Sequence, residues 1–409
     1  MPTLSRRPKV ESTVPVQETE GRSTLPQLLA EASVQLRSVD TEVLEIDQAL
    51  GRILDEPIIA DRDHPPADVA AMDGFAVQVA DLCQHPIPVN AAAFAGQPTC
   101  ALKDGYAMRI ATGAIVPHRA DAVIRSEWCV ETSDGVLVDV DRSITPGNDI
   151  RRRAENCQAG EVIARAGQRV TPAVIAAAKA FGKSGIRVYG RLRVAVIATG
   201  DELVDSDLPP RDHQTRESNA TSIAAMLSAR SWMRLSSVTH VADQTPTVMR
   251  AIESALASSD AVVLTGGTCR SERDSVRSAI EQLRLEVMFD GVPIRPGRPT
   301  IGATAAPGKL VLALPGNPIA ALLAARVVGL PLLSAMSGNS ASEVGLRVSV
   351  QGRPSSADVT RLELGRISED GTVHVIPSHG SADIPAAVQS DGVLVFDEPS
   401  GQNAIFLQW

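Results

Sequence analysis

Aromatic residues are scarce: 3 Trp, 2 Tyr and 6 Phe make up 3% of the 409 residues. Stacking platforms of the kind that hold single-stranded nucleic acid are therefore few, and the core must be built from Val, Ile, Leu and Ala. An excess of positive charge is also missing. Lys and Arg number 39 against 48 Asp and Glu, a net charge of −9, which argues against a nucleic-acid groove or an anionic membrane surface. An anionic ligand would need a locally basic pocket. The five cysteines, Cys83, Cys100, Cys129, Cys157 and Cys269, include no pair at zinc-binding or redox spacing, so separate reduced thiols are expected. No apolar run near the N-terminus has the length of a secretory signal. The longest run, Ile319 to Leu333, is interrupted by Arg326 and Pro331 and falls short of the ~20 residues that span a bilayer. The expectation is a cytoplasmic protein with no membrane segment and no nucleic-acid partner.

What is present suffices for several packed units. Hydrophobic residues at 44% and charged residues at 21% match globular averages, and the length suits roughly two to four domains. Residues 1–23 are polar and aperiodic, which predicts a disordered tail. Residues 24–60 and 151–189 are assigned to a connecting domain. Its second part carries a helix signalled by Thr171 as N-cap, Pro172 in the first position and Gly182 past the end. Residues 61–150 turn to short β-rich runs punctuated by Gly, Pro and Asp, the pattern of a small β domain. Over 190–336, near-continuous apolar strands alternate with amphipathic helices, which predicts a parallel sheet covered on both faces in a doubly wound α/β domain. Alternating runs over 337–409 predict a C-terminal β domain. The fold class is α/β multidomain.

Three turns fall at the carboxyl ends of the α/β strands, where helix N-termini and loop amides converge on ligands: Thr199-Gly200-Asp201-Glu202, Thr265-Gly266-Gly267-Thr268 and Pro315-Gly316-Asn317-Pro318. Any one alone reads as an ordinary strand-to-helix turn. All three in one sheet describe a phosphate cradle. Asn317 can cap the next helix with Pro318 in its first position. Arg295-Pro296-Gly297-Arg298-Pro299 adds two guanidinium groups on a turn ahead of a strand. Asp201, Glu202 and Asp274 offer hard oxygen ligands for a Mg²⁺ shared with a substrate phosphate, with helix capping a competing role for Asp274. Such a crevice suits Mg²⁺-assisted chemistry at a phosphoanhydride. In the β domain, Asp73 in AMDGFAV, Thr112 in RIATGA and Arg151 in GNDIRRR read, one at a time, as a hairpin turn, a glycine turn and a solvated arginine face.

AMDGFAV, RIATGA, GNDIRRRAEN, VAVIATGDELV, ESNA, LTGG, RPGRPT and LPGNP occur in one order. In that order they resemble the molybdopterin molybdenumtransferase family, which includes the E domain of gephyrin, from about Leu25 to the C-terminus. The resemblance implies four domains, the third similar to the molybdopterin adenylyltransferase fold. It also implies a homodimer whose active site lies between one subunit's α/β domain and the other's β domain. The implied activity is Mg²⁺-dependent insertion of molybdate into adenylylated molybdopterin with release of AMP, with molybdopterin adenylyltransferase as a partner. Carried over by motif, Asp73, Glu202, Asp274 and Arg151 would be catalytic, Asp73 and Thr112 entering the partner subunit's site. Glu202 and Asp274 would also hold Mg²⁺. Thr112, Thr199, Gly200, Gly266, Gly267, Arg295, Arg298, Pro315, Gly316, Asn317 and Pro318 would bind the cofactor substrate. Arg295 and Arg298 stand where the family commonly has lysines, Asn156 where it has Asp, and the run from Thr268 to Asp274 replaces a Ser- and Gly-containing loop. A second reading follows from these departures: a non-catalytic paralogue that binds molybdopterin or a partner protein. A nucleotide-cleaving enzyme on the same α/β fold is a third.

Overall fold

The computed structural model describes residues 24–139, 142–268, 274–340, 345–350, 359–396 and 403–409. The expected tail over 1–23, and Cys269 with the rest of the 269–273 loop, lie outside the described residues. The chain forms two compact units. One comprises Glu42–Leu50 and Leu54–Val188; the other holds Gly51–Ile53, Tyr189–Trp409 and the described part of Met1–Thr41.

The first unit contains a four-stranded sheet in the order Val89–Ala93, Ala107–Ile110, Gly74–Val77, Ala122–Arg125. Phe75, Met108, Ile110 and Ile124 are fully buried in its two small cores. The helix Pro172–Ala180 has the expected ends: Thr171 Oγ1 accepts from Val174 N at 3.3 Å, and Gly182 takes the left-handed conformation at φ +75° that follows a helix cheaply only as glycine.

The second unit is built on six strands: β1 (Leu192–Thr199), β2 (Met233–Val241), β3 (Ala261–Thr265), β4 (Glu286–Asp290), β5 (Ile301–Ala305) and β6 (Lys309–Leu314). They lie in the order β2-β1-β3-β6-β5-β4. Helices α1 (Asn219–Ser228), α2 (Thr245–Ser258), α3 (Ser275–Gln282) and α4 (Pro318–Ala324) complete the layers. Side chains alternate across β1: Val194 and Val196 pack with α1 and α4, whereas Ala195 and Ile197 pack with α2 and α3. This two-sided burial explains the near-continuous apolar strands.

The sequence predicts a parallel sheet, but only four of the six strands are parallel. β2, β1, β3 and β6 are parallel, but β5 runs antiparallel to β6 and β4 antiparallel to β5. The connection of β5 to β6, residues 306–308, is too short for the crossover a parallel pair needs. The apolar run after Leu314 also continues further than expected. Pro318–Met336 is one 19-residue apolar segment, passing from α4 through a π turn at Ala325–Gly329 into Leu330–Met336, and 78% of its most apolar window is buried. The wider turn accommodates Pro331, which has no amide to donate to the preceding turn. By length and composition the segment could cross a bilayer, but here it is the central helix of the core.

The strands Leu346–Ser349, Thr360–Ile367, Val373–Val375, Gly392–Phe396 and Asn403–Gln408 form a second sheet that also takes Ile294–Arg295, and Leu203–Val204 pairs with Thr215–Arg216 beside the first. The short helix Ile384–Val388 lies between Val373–Val375 and Gly392–Phe396, with Asp383 accepting from Ala386 N at its start.

Candidate active site

The ladder sets the crevice. Ala198 pairs with Thr265 and Thr265 with Leu314, so β1, β3 and β6 end side by side and release their turns along one edge. Gly266 lies between the other two turns. At φ +97° it occupies the left-handed region, and a Cβ there would sit 2.1 Å from the carbonyl oxygen of Thr199. A Cβ on Gly316 would in turn stand 3.6 Å from Gly266 Cα. At Gly266 only glycine permits this approach, whereas a Cβ on Gly316 would make ordinary contact. Uncharged side chains then tie the turns together. Thr265 Oγ1 donates to Pro315 O (3.0 Å), Thr268 Oγ1 to Leu314 O (3.4 Å), and Asn219 Nδ2 to Gly316 O (2.7 Å) and Thr265 Oγ1 (3.1 Å).

Acidic groups rim this edge. The Glu202 carboxylate folds over Gly200, both oxygens 2.8 Å from the position of a Cβ on that glycine. It is exposed and has no hydrogen-bond or ion-pair partner among the described residues. Asp201 Oδ1 accepts from Asp243 N at 3.0 Å. Asp243 Oδ1 accepts from Thr199 Oγ1 (3.3 Å) and from Ser275 Oγ, and it lies 3.2 Å from a Cβ built on Gly267. Asp243 thus joins the first turn, the second turn and the start of α3. Sequence reasoning passed over it, because a lone Asp in Val241-Ala242-Asp243-Gln244 reads as a loop residue. The signal available was its place just past the end of a further parallel strand.

Asp274 takes the capping alternative. Its Oδ1 accepts from Arg277 N (2.9 Å) and its Oδ2 from Arg277 Nε (3.0 Å), while Arg277 also binds Asp290, with Nη2 to Oδ1 at 2.8 Å. Burial pushes the Asp274 carboxyl up from the ordinary carboxylate range, opposed by these bonds. The structure therefore does not join Asp274 and Glu202 in one donor set. Among the described residues no group of three or more His, Cys, Asp or Glu is arranged to hold a metal ion.

Arg295 and Arg298 are exposed, and neither guanidinium group has a hydrogen-bond or ion-pair partner among the described residues. Their turn packs at Gly297 against Ala324 of α4, 3.4 Å from a Cβ position on the glycine. Asn317 occupies the N-cap position of α4 without the expected side-chain cap. Pro318 has no amide to offer, and Ile319 N already donates to Ser381 O (2.9 Å), so Asn317 Nδ2 turns to Ser381 Oγ (3.0 Å).

In the other unit the three motifs adjoin through one short strand. Gly113 N donates to Ala70 O and Ala70 N to Ala114 O, and Ile150–Arg151 pairs with Val69–Ala70. Asp73 Oδ1 accepts from Thr112 N (2.6 Å) and Thr112 Oγ1 (2.8 Å), bonds that hold its carboxyl below the usual range. Arg151 Nη2 donates to Asn156 Oδ1 at 2.6 Å.

Comparison with known proteins finds two matching families, one in each half of the chain. Residues 17–182 match the family described as MoeA N-terminal region (domain I and II), and residues 195–335 the one described as probable molybdopterin binding domain. A molybdopterin molybdenumtransferase of Haemophilus influenzae is 30% identical over 377 residues, 88% of this chain and 91% of that protein. Another from Synechocystis is 30% identical over 284 residues, 68% and 73% of the two chains. A crystal structure of the molybdopterin biosynthesis moeA protein from Pyrococcus horikoshii aligns with a TM-score of 0.72 at 26% identity, covering 95% of this chain and 99% of that one.

Proposed function

We propose that this chain, which belongs to the molybdopterin molybdenumtransferase family, inserts molybdate into adenylylated molybdopterin and releases AMP. The observation that carries the reading is the close set of Gly266 against Thr199 and Gly316, with the unpartnered Glu202 carboxylate over Gly200. Backbone amides on turns that approach this closely can surround phosphate oxygens, and a helix N-terminus adds its partial positive charge. Arg295 and Arg298 would meet anionic oxygens, and their planar guanidinium groups can do so with two hydrogen bonds each.

The donor set fits Mg²⁺ of the kind that keeps water and substrate phosphate among its ligands. Glu202 and Asp201 supply hard oxygens, and the described residues form no closed protein cage. Glu202 would hold the ion together with substrate oxygens; Asp274 is engaged at both oxygens by Arg277. When bound, the ion neutralises phosphate charge and polarises the bridging bond. The protein's own contribution would be orientation: the three turns would fix the phosphates, and Glu202 would orient water at the phosphoanhydride. In a homodimer, Asp73, Thr112 and Arg151 would enter the partner subunit's crevice from the small β domain, and molybdopterin adenylyltransferase would supply the substrate.

The test is AMP release by the purified chain from adenylylated molybdopterin with Mg²⁺ and molybdate. Release that needs both additions supports the transferase. Tight molybdopterin binding with no release would instead support the non-catalytic paralogue, the reading that Asn156 in place of Asp motivates.

A further inference from the structure

We propose that His240 is a positioning residue for Glu202, acting through the carbonyl of Gly200; the inference rests on the reading above that Glu202 serves the phosphoanhydride. His240 stands opposite Ala198 in the parallel ladder of β1 and β2, near the carboxyl end of the sheet's edge strand. Its Nε2 lies 3.0 Å from Gly200 O. A carbonyl oxygen can only accept, so Nε2 carries the proton and donates it.

The same oxygen accepts from Leu203 N at 3.3 Å, closing the turn that carries Asp201 and Glu202. That bond is long for an amide donor, so the imidazole supplies the closer anchor. A second grip comes from Asp243 N, which donates to Asp201 Oδ1 at 3.0 Å. The end of β2 therefore holds the turn at its first carbonyl and at the side chain of its second residue. Glu202 has no side-chain partner among the described residues, so its carboxylate keeps its place over Gly200 through its backbone, held on one side by Thr215 N, which donates to Glu202 O at 2.8 Å, and on the other by this turn. Glycine gives that first residue the widest conformational freedom of any. Removing the anchor at its carbonyl lets the peptide between Gly200 and Asp201 rotate and tilts Glu202 about the Thr215 bond that still holds its carbonyl. His240 itself contacts the turn's backbone, so its part is support.

Full-length wild type, His240→Ala and His240→Gln are compared by amide hydrogen exchange without ligand, and by AMP release with Mg²⁺, molybdate and adenylylated molybdopterin. His240→Ala is expected to speed exchange at the Leu203 and Asp243 amides by about five- to tenfold, the worth of one hydrogen bond. Its kcat for AMP release is expected to fall by about the same factor, with KM for the adenylylated substrate nearly unchanged, because the other turns still hold the phosphates. His240→Gln, whose side-chain amide can donate to the same carbonyl, should restore both. Wild-type exchange in His240→Ala, faster exchange with unchanged kcat, or equal losses in the Ala and Gln variants would each overturn the assignment. A wild-type chain that releases no AMP would remove the transferase reading, and exchange at Leu203 would then decide the positioning role alone.

Discussion

The crevice of the α/β unit and the arginine stretch of the other unit solve opposite problems. In the crevice, glycines and uncharged Asn and Thr side chains hold the turns, and the guanidinium groups of Arg295 and Arg298 remain without partners among the described residues. Around the arginine stretch nearly every cation is matched. Arg125 binds Asp149 through Nε (3.0 Å) and Nη2 (2.6 Å), Arg152 binds Asp68 (2.7 Å) and Arg153 binds Asp63 (2.5 Å). A run of arginines is thus a frame for loops, whereas isolated arginines beside glycine turns are free to meet an anion. Structural ion pairs hold position, and unpaired charge is left for a ligand.

Several changes sharpen or break that contrast. The largest effect is expected from Glu202→Gln, which should lower AMP release by about 10²- to 10⁴-fold without moving the melting temperature, because the side chain supports nothing in the fold. An unchanged rate would place the chemistry elsewhere. Next comes Gly266→Ala. With φ at +97° and a Cβ 2.1 Å from Thr199 O, it should destabilise the α/β unit by about 2–4 kcal/mol in denaturant unfolding. Gly316→Ala, whose Cβ would make ordinary contact at 3.6 Å, should leave stability intact and weaken substrate binding only. Asp149→Ala strands Arg125 at the end of the buried strand Ala122–Arg125 and should lower the denaturant midpoint of this unit; wild-type stability would mean that the arginine frame holds nothing. The smallest effect is a pH dependence. Burial pushes the Asp68 carboxyl up, but bonds from Arg153 N and from Arg152 outweigh it, and the group ends below its ordinary value of 3.8. A depressed folded value contributes stability above the unfolded one and loses it as pH falls through the folded one. Asp68→Asn should therefore be slightly less stable than wild type at neutral pH, and the gap should close below about pH 4; a constant gap would contradict the pairing.

Much of this was legible in the residues. β1, β3 and β6 carry the apolar runs Val194–Ala198, Ala261–Leu264 and Leu310–Leu314, and Pro and Gly punctuate the turns that follow them, so the crevice could be located from its strands. β4 and β5 escaped notice because Glu286–Asp290 is short and flanked by charge, and Ile301–Ala305 contains Gly302, closed over by Phe289. Thr360–Ile367 was hidden by Arg361 and Glu363, which pair with each other at 2.8 Å along the strand. Asp243, His240 and Asn219 gain their meaning from contacts 42, 40 and 97 residues away. Local pattern carries no trace of such distances. The capping of α3 by Asp274 was legible as an alternative, and its Arg277 partner one helical turn later was the clue.

The most direct measurement follows the backbone amides of Gly200, Gly266, Gly267 and Gly316 by NMR while adenylylated molybdopterin is added. If the turns gather its phosphates, these four resonances shift together and saturate at one ligand concentration, and Gly316→Ala moves that concentration upward. Shifts confined to the other unit, or glycine amides that stay still while the ligand binds, would contradict the account.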